Sequence, residues 1–271
     1  MNIRHNISAL NTTRQLGMAN KGVFKNTEKL STSLRINRAG DDAAGLSISE
    51  KMRAQISGLS KAAQNTQDSI SLIQTGEGAL AEINSMLIRG RELAVQAAND
   101  TNTDDDRQLL NQEIQQLFEE IDRVGRDTEF NTIKLFDGST KSLTLQLGAN
   151  QQQNQIVSFQ EVSVDTLALT NVTITTQQQA DEAIVKLDRA TVTIASQRSQ
   201  LGAWQNGFEH NSTNRKNTVD KLSSAESVIR DANMAFEVMG LTKSQILRDT
   251  MQSALGQTNM KSNQVLNLLT S

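Results

Sequence analysis

The sequence predicts a mainly α fold: an elongated, discontinuous helical bundle or coiled coil with one small β-hairpin region. Three observations carry this. The chain has 271 residues and no proline, so nothing forces its helices to break. Apolar residues recur at alternating four- and three-residue spacings through most of its length, the pattern of a helix with a narrow apolar seam. Aromatic residues make up only 3% of the chain and tyrosine is absent, so the apolar content must lie in thin aliphatic stripes.

Residues 1 to 34 read as an amphipathic helix. Ile3, Ile7 and Leu10 share one face, and after a phase slip near Gly17 the stripe continues through positions 16, 20, 23, 27, 30 and 34. With Asn20 and Thr27 in it, the seam barely offsets the backbone entropy of ordering, about 1–2 kcal/mol per residue, so the helix needs a partner.

Leu34 to Leu59 is the stretch around which the rest is arranged. Arg35 and Arg38 are followed by Asp41 and Asp42, then by Ala43, Ala44 and Gly45, and then by a new heptad. The small residues allow close backbone approach, and Gly40 and Gly45 supply flexibility. The stretch reads equally as a joint between two helical rods and as a solvated interhelical linker.

Residues 45 to about 99 carry an unbroken 4-3 pattern at positions 52, 56, 59, 63, 66, 70, 73, 77, 80, 84 and 87. Thr66, Glu77 and Asn84 are its polar members. Repeats sustained over this length indicate a coiled-coil seam. A break at Asn99–Asp106 follows, with Thr103 or Asp104 as the cap of a third helix. That helix has Leu110, Ile114, Leu117, Ile121 and Val124 on one stripe and ends near Gly125. The short turn sets it antiparallel to its predecessor.

From Thr128 to Thr176 the period changes. Leu143, Leu145 and Leu147 alternate with polar residues, GANQQQNQ follows, and Ile156–Val164 and Leu167–Thr175 are rich in β-branched residues. This reads as a β-hairpin or small sheet with a polar tip. Heptads return over 178–229, from Ile184 and Leu187 to Leu222 and Ile229, with Thr191, Arg198, Gln205, Ser212, Arg215 and Glu226 on the same stripe. The last amphipathic helix, 231–271, carries Phe236, Met239, Leu247, Met251, Ala254, Leu255, Val265, Leu268 and Leu269. The first and last helices each have a meagre seam, and pairing them buries both while leaving apolar surface for other subunits. The expected domains are 1–42 with 231–271 as an inner coiled coil, 43–140 with 177–230 as an outer bundle, and 141–176 as the hairpin region.

The charges exclude several functions. Net charge is −3 with both signs interspersed, which favours neither a nucleic acid nor a membrane surface as partner. No apolar run approaches the ~20 residues of a membrane span. No cleavable signal peptide is visible, so a secreted fate requires another export route. There is no cysteine, hence no thiolate nucleophile or thiolate metal site. His5 and His210 are far apart and no HExxH motif exists. Asp104, Asp105 and Asp106 lack the spacing of a calcium loop and suit a solvated helix start. Glu119 and Glu120 are adjacent on a helix and diverge. Neither an enzyme nor a metal or cofactor site is expected.

Several blocks resemble, in the same order, the bacterial flagellins, the subunits of the flagellar filament. They are MNIRHNISALNTTRQL, the LRINRAGDDAAGLSISEKMRAQISGL stretch, SISLIQTGEGALAEI, RELAVQAANDTNT, EIQQLFEEIDRVGRDTEFNTIKLFDGS, and near the C-terminus RSQLGAWQN, SAESVIRDANMAFE and ALGQTNMKSNQVLNLL. Trp204 and Gly207 depart from the family's pattern, as does Gly90. The large variable insertion of longer relatives is reduced here to the hairpin.

The resemblance implies a homopolymer exported unfolded through the flagellum's own channel and located outside the cell in the filament. On it, self-assembly falls on Ile3, Ile7, Leu10, Leu34, Arg35, Asp41, Asp42, Leu247, Met251, Leu255, Val265, Leu268 and Leu269. It further implies contacts with the flagellar cap and hook-associated proteins, and a cytosolic export chaperone on the C-terminal helix. Arg89, Leu93 and Glu113 match the family's contact with the flagellin-sensing animal Toll-like receptor, although spacing alone equally fits a solvated face with core contacts. A hook–filament junction protein, which has similar ends, is the alternative.

Overall fold

The computed structural model describes residues 6–270, with side chains described for residues 6–261 and Gln264. Five helices and two two-stranded antiparallel sheets follow in the order α1 (Ile7–Thr32), α2 (Ala43–Ala97), α3 (Asp104–Asp127), β1 (Glu129–Phe130), β2 (Ile133–Lys134), β3 (Ser142–Gln146), β4 (Asn154–Ser158), α4 (Gln177–Arg230) and α5 (Met234–Thr270). The mainly α class is therefore the observed one. Two compact units divide the chain, Met1–Ile56 with Asp220–Ser271, and Ser57–Val219.

In the second unit, the 4-3 repeat of α2 does what its spacing requires. None of the eleven positions from Met52 to Leu87 is exposed. Thr66 is fully buried because its hydroxyl donates to the Ala62 carbonyl at 2.8 Å. Glu77 pairs with Arg198 of α4 at 3.6 Å. Asn84 keeps its Oδ1 buried without a hydrogen-bond partner in the protein. A second stripe, Ala62, Ser69, Leu72, Ile83, Leu93 and Ala97, is buried as well. One heptad seam serves one neighbour; α2 meets both α3 and α4, and needs two.

α3 and α4 each pack antiparallel to α2. Gly90 of α2 lies against Leu187 of α4 and Ile114 of α3, while Gly76 lies beside Leu201. The α4 stripe read from sequence, Ile184 to Ile229, has no exposed member. Thr103 caps α3 in a reciprocal capping box with Asp106, which satisfies two orphan N–H groups at the helix start. The turn before it is held by Arg107, buried, whose Nε donates to the Ala97 carbonyl at 2.9 Å and whose Nη2 donates to that of Asn99 at 3.3 Å. The last carbonyl of α2 and one in the following turn are thus capped by a side chain from the next helix.

The hairpin forms, in a narrower register than its β-branched content suggests. Ser142–Gln146 pairs with Asn154–Ser158, Val157 turns inward and Ile156 outward. The polar tip is the connection between these strands. Leu167–Thr175 is not a strand. It is an irregular strap with Ala168 and Asn171 at positive φ, and it sinks Leu167, Leu169, Val172 and Ile174 into the core. Its backbone polar groups, and the Val164 N–H just before it, bond to α3 instead of a neighbouring strand. Asn111 accepts from the Ile174 N–H at 3.0 Å, Gln115 donates to the Val172 carbonyl at 2.8 Å, and Asp122 accepts from the Val164 N–H at 2.7 Å. Beneath it, Phe136 and Phe159 meet edge to face with centroids 5.9 Å apart. Trp204 packs against the same core.

In the first unit, α1 and α5 form an antiparallel pair, treated next because its surfaces are the candidate site.

Candidate functional site

The end of α1 is tied to the start of α5 through the two linkers. Ser33 takes a left-handed conformation, φ 58°, and ends α1. Leu34 then bridges Asp231 in antiparallel fashion. The Arg35 N–H donates to the Arg230 carbonyl at 2.7 Å, and the Ala232 N–H to the Ser33 carbonyl at 3.0 Å. The Arg35 guanidinium reaches the Ile229 carbonyl, and Arg230 pairs with Glu50 of α2. Backbone hydrogen bonds thus hold the start of this stretch against the α4–α5 linker.

Asp41 and Asp42 perform different tasks within it. Asp42 caps α2, its Oδ1 accepting from the Gly45 N–H at 2.9 Å. Asp41 folds back on the linker, accepting from the N–H groups of Asn37 and Arg38, both at 3.3 Å. Lys25 of α1 bonds to the same carboxylate at 2.8 Å. The Lys25 hydrogen bond, helped by those two N–H groups, holds Asp41 below the usual carboxylate range against a desolvation effect of opposite sign. Lys25 is raised in turn by its bond to Asp41. Close approach here involves side chains rather than backbones. Ala43 and Ala44 are exposed, while Gly45 is buried against Ile36 and Asp42. A Cβ at Gly45 would stand 2.8 Å from Ile36 Cδ1.

The α1·α5 seam runs through Ala9, Thr12, Leu16, Ala19, Val23, Asn26 and Leu30 on one side, and through Glu237, Leu241, Ser244, Arg248, Met251, Leu255 and Thr258 on the other. Its register shows in the Asn6–Thr258, Asn26–Ser244 and Lys29–Glu237 contacts. Lys29 Nζ lies 2.9 Å from Glu237 Oε1, with both side chains largely withdrawn from solvent. Sequence spacing found Leu16, Val23 and Leu30 but placed Ile7 and Leu10 in the stripe, and both are exposed. On α5, Met251 and Leu255 are in the seam, whereas Phe236, Met239 and Leu247 are exposed. Ile3 lies outside the described residues, as do the side chains of Val265, Leu268 and Leu269. Lys25, Lys29 and Glu237 escaped sequence reading because their partners are distant in the chain. The available hint was a lone acid, Glu237, inside an apolar run.

α1 has no buried residue, and the only buried side chain among the described ones of α5 is Glu237. Helices this long are normally held by a buried apolar stripe. Here large apolar side chains face outward instead: Ile7, Leu10, Met18 and Phe24 on α1, and Phe236, Val238, Met239, Ile246, Leu247 and Met260 on α5.

A separate cluster lies in the second unit. Arg89 bonds to Glu113 of α3 through Nε and Nη2, at 3.1 and 2.9 Å, and to Glu92 at 3.1 Å. Those carboxylates raise the guanidinium's pKa further. Leu93 does not join them at the surface: it is 1% exposed and belongs to the core. The exposed apolar residues nearby on α2 are Ile88 and Val95, which share a helical stripe with Glu92.

These features define a class, a helical subunit whose terminal helices carry more apolar surface than one copy covers. Residues 3–141 match the model of the bacterial flagellin N-terminal helical region, and residues 184–269 that of the bacterial flagellin C-terminal helical region. A flagellin of Halalkalibacterium halodurans is 48% identical, with 99% of this chain and all of that one covered. A Bacillus subtilis flagellin is 44% identical with the same coverage. Among solved structures, Bacillus cereus flagellin is 33% identical with a TM-score of 0.51, over 56% of this chain and 88% of that one. The chain belongs to the bacterial flagellin family, and it is a structural subunit of the flagellar filament.

Proposed function

We propose that copies of this chain join through the outward faces of α1 and α5, with the Leu34–Asp42 joint fixing how that helix pair leaves α2. The observation that carries this is that, among the described residues, no buried apolar side chain lies between two helices lined with exposed Phe, Met, Ile and Leu. Burial returns roughly 25 cal/mol per Å² of apolar surface, so neighbouring copies are the source of the missing stabilisation. On this reading Ile7, Leu10 and Leu247 act between subunits, while Met251 and Leu255 act within one. Leu34, Arg35, Asp41 and Asp42 act by shaping the joint. Residues 1–42 with 231–271 are the inner part of the subunit, 43–140 with 177–230 the outer part, and 141–176 the hairpin region.

The test mixes purified protein with filament seeds and follows growth by sedimentation and electron microscopy. Leu10→Asp and Leu247→Asp, both outside the seam, abolish elongation with helix content unchanged. Undiminished growth of either variant overturns the proposal.

Export through the flagellar channel to the cell exterior, a chaperone covering α5 beforehand, and junctions with cap and hook-associated proteins follow from family membership as parts of the same reading. Arg89 and Glu113 further support recognition by an animal Toll-like receptor, since they stand together at the surface and are exposed. In that role Leu93 supports the surface from beneath. Leu93→Ala therefore costs about 2–5 kcal/mol of stability, like other buried leucine truncations. Arg89→Ala lowers receptor signalling in reporter cells with the melting temperature nearly unchanged.

A further inference from the structure

The methionines are distributed unevenly. Of eight in the chain, seven fall within the ranges of the first unit: Met1, Met18, Met52, Met234, Met239, Met251 and Met260. Only Met86 belongs to the second. Met18, Met234, Met239 and Met260 are exposed, whereas Met52, Met86 and Met251 are half-buried. Met239 is 63% exposed and lies in a shallow apolar groove with Val238, Thr242, Lys243, Ile246 and Leu247.

We propose that Met239, with Met18, Met234 and Met260 in support, is an oxidation site that switches off polymerisation. This rests on the assembly reading above, in which a second copy of the chain covers the groove. That occupant fits because the chain is a filament subunit and the groove continues the apolar faces of α1 and α5. Hydrogen peroxide is the oxidant. The thioether sulfur attacks one peroxide oxygen, the O–O bond breaks, an S=O bond forms, and the other oxygen leaves as water. Sulfur loses two electrons and peroxide gains them. The product is a polar, chiral sulfoxide in place of a flexible apolar group, so an interface formed there must desolvate an oxygen acceptor. Nothing in the helix pair itself needs to change, because these sulfurs face away from the seam. A methionine sulfoxide reductase drawing on a dithiol reverses the step: the sulfoxide oxygen leaves as water and the dithiol becomes a disulfide. Thioethers suit such a role, being apolar and adaptable when reduced. Once subunits have joined, the same sulfurs are covered, so the switch acts on monomers.

The experiment treats full-length monomer with hydrogen peroxide, maps oxidised methionines by peptide mass spectrometry, and measures growth on seeds. Met239 takes up oxygen several-fold faster than Met86, and elongation falls by roughly tenfold, the ratio set by losing one good interface contact. Reductase with thiol restores growth. Each variant is compared with its own untreated growth rate: Met239→Leu loses a smaller fraction of its elongation on peroxide treatment than the natural chain does, and the variant with leucine at 18, 234, 239 and 260 loses none. Protein oxidised at Met239 that grows at the untreated rate overturns the inference, as does a Met239 no faster to react than Met86, or leucine variants as sensitive as the natural chain. Failure of untreated protein to grow would instead sink the assembly reading itself.

Discussion

Single residues in this chain are constrained mainly by what stands opposite them. Gly125 ends the buried stripe of α3, and a Cβ there would fall 2.2 Å from the Val162 carbonyl oxygen. That oxygen belongs to the backbone between β4 and the strap and cannot rotate aside as a side chain could. Gly125→Ala therefore destabilises the protein by roughly 2–4 kcal/mol despite its better helix propensity, measured as a drop in the denaturant midpoint. Sequence spacing shows Gly125 only as a helix end, because the path of the chain through Val162 is not written in any local period.

Asp41 is constrained electrostatically. Its folded pKa lies below the unfolded one, so its contribution is complete above the ordinary Asp value, about 3.9, and drains as pH falls through the lowered one. Lys25 is shifted upward, so its contribution is complete below its ordinary value and is lost as pH rises through the raised one. The pair is therefore intact across neutral pH and fails at both extremes. Asp41→Asn removes the acid arm of that dependence, and thermal melts of the two proteins below pH 4 lie closer together than at pH 7. The acidic pair was legible in the sequence, but its division into a cap and a clamp was not, since it depends on Lys25 from another element.

At the level of elements, the heptads predicted helices well and neighbours less well. The α2 and α4 stripes are withdrawn from solvent along their whole read length, because a helix flanked by others must bury every seam position. On α1 and α5 the apolar periodicity points to a different face from the seam: Ile7, Leu10, Phe236 and Leu247 are exposed. There apolar character marks the outward face, and the seam accepts Thr12, Asn26, Ser244 and Thr258. A pattern method assumes that the most apolar face is the one buried within the molecule. The Lys29–Glu237 pair is the most protected polar contact of this seam. Lys29→Met leaves Glu237 withdrawn and unpaired, and costs about 1–3 kcal/mol; replacing both by apolar residues, Lys29→Met with Glu237→Leu, recovers most of it. A double-mutant cycle followed by urea melts measures the difference.

For the molecule as a whole, stability is distributed unequally between the two units. The second holds the large apolar cluster of Ile73, Leu80, Ile83, Leu87, Ile114, Phe136 and their neighbours, and among its described residues the first holds only scattered buried groups such as Ile36. Amide exchange on the monomer follows this difference. Amides of α1 and of α5 exchange orders of magnitude faster than those of α2 around Ile73–Leu87, and become protected when the protein polymerises. Equal protection throughout the monomer contradicts the assignment of assembly to the terminal helices. Fold class and family were readable from the whole sequence because heptads and block order repeat over hundreds of residues. The irregular strap and the linker-to-linker bridge were not, because each depends on one contact between distant segments.

The α1·α5 register also has a temporal side. Asn6 meets Thr258 across a separation of 252 residues, so the first helix is synthesised long before its mate. At ribosomal speeds the delay is roughly 10–50 s. During that interval a nascent chain holds half of an antiparallel pair. The order of translation thus leaves the first helix without its mate until nearly the whole chain has been made.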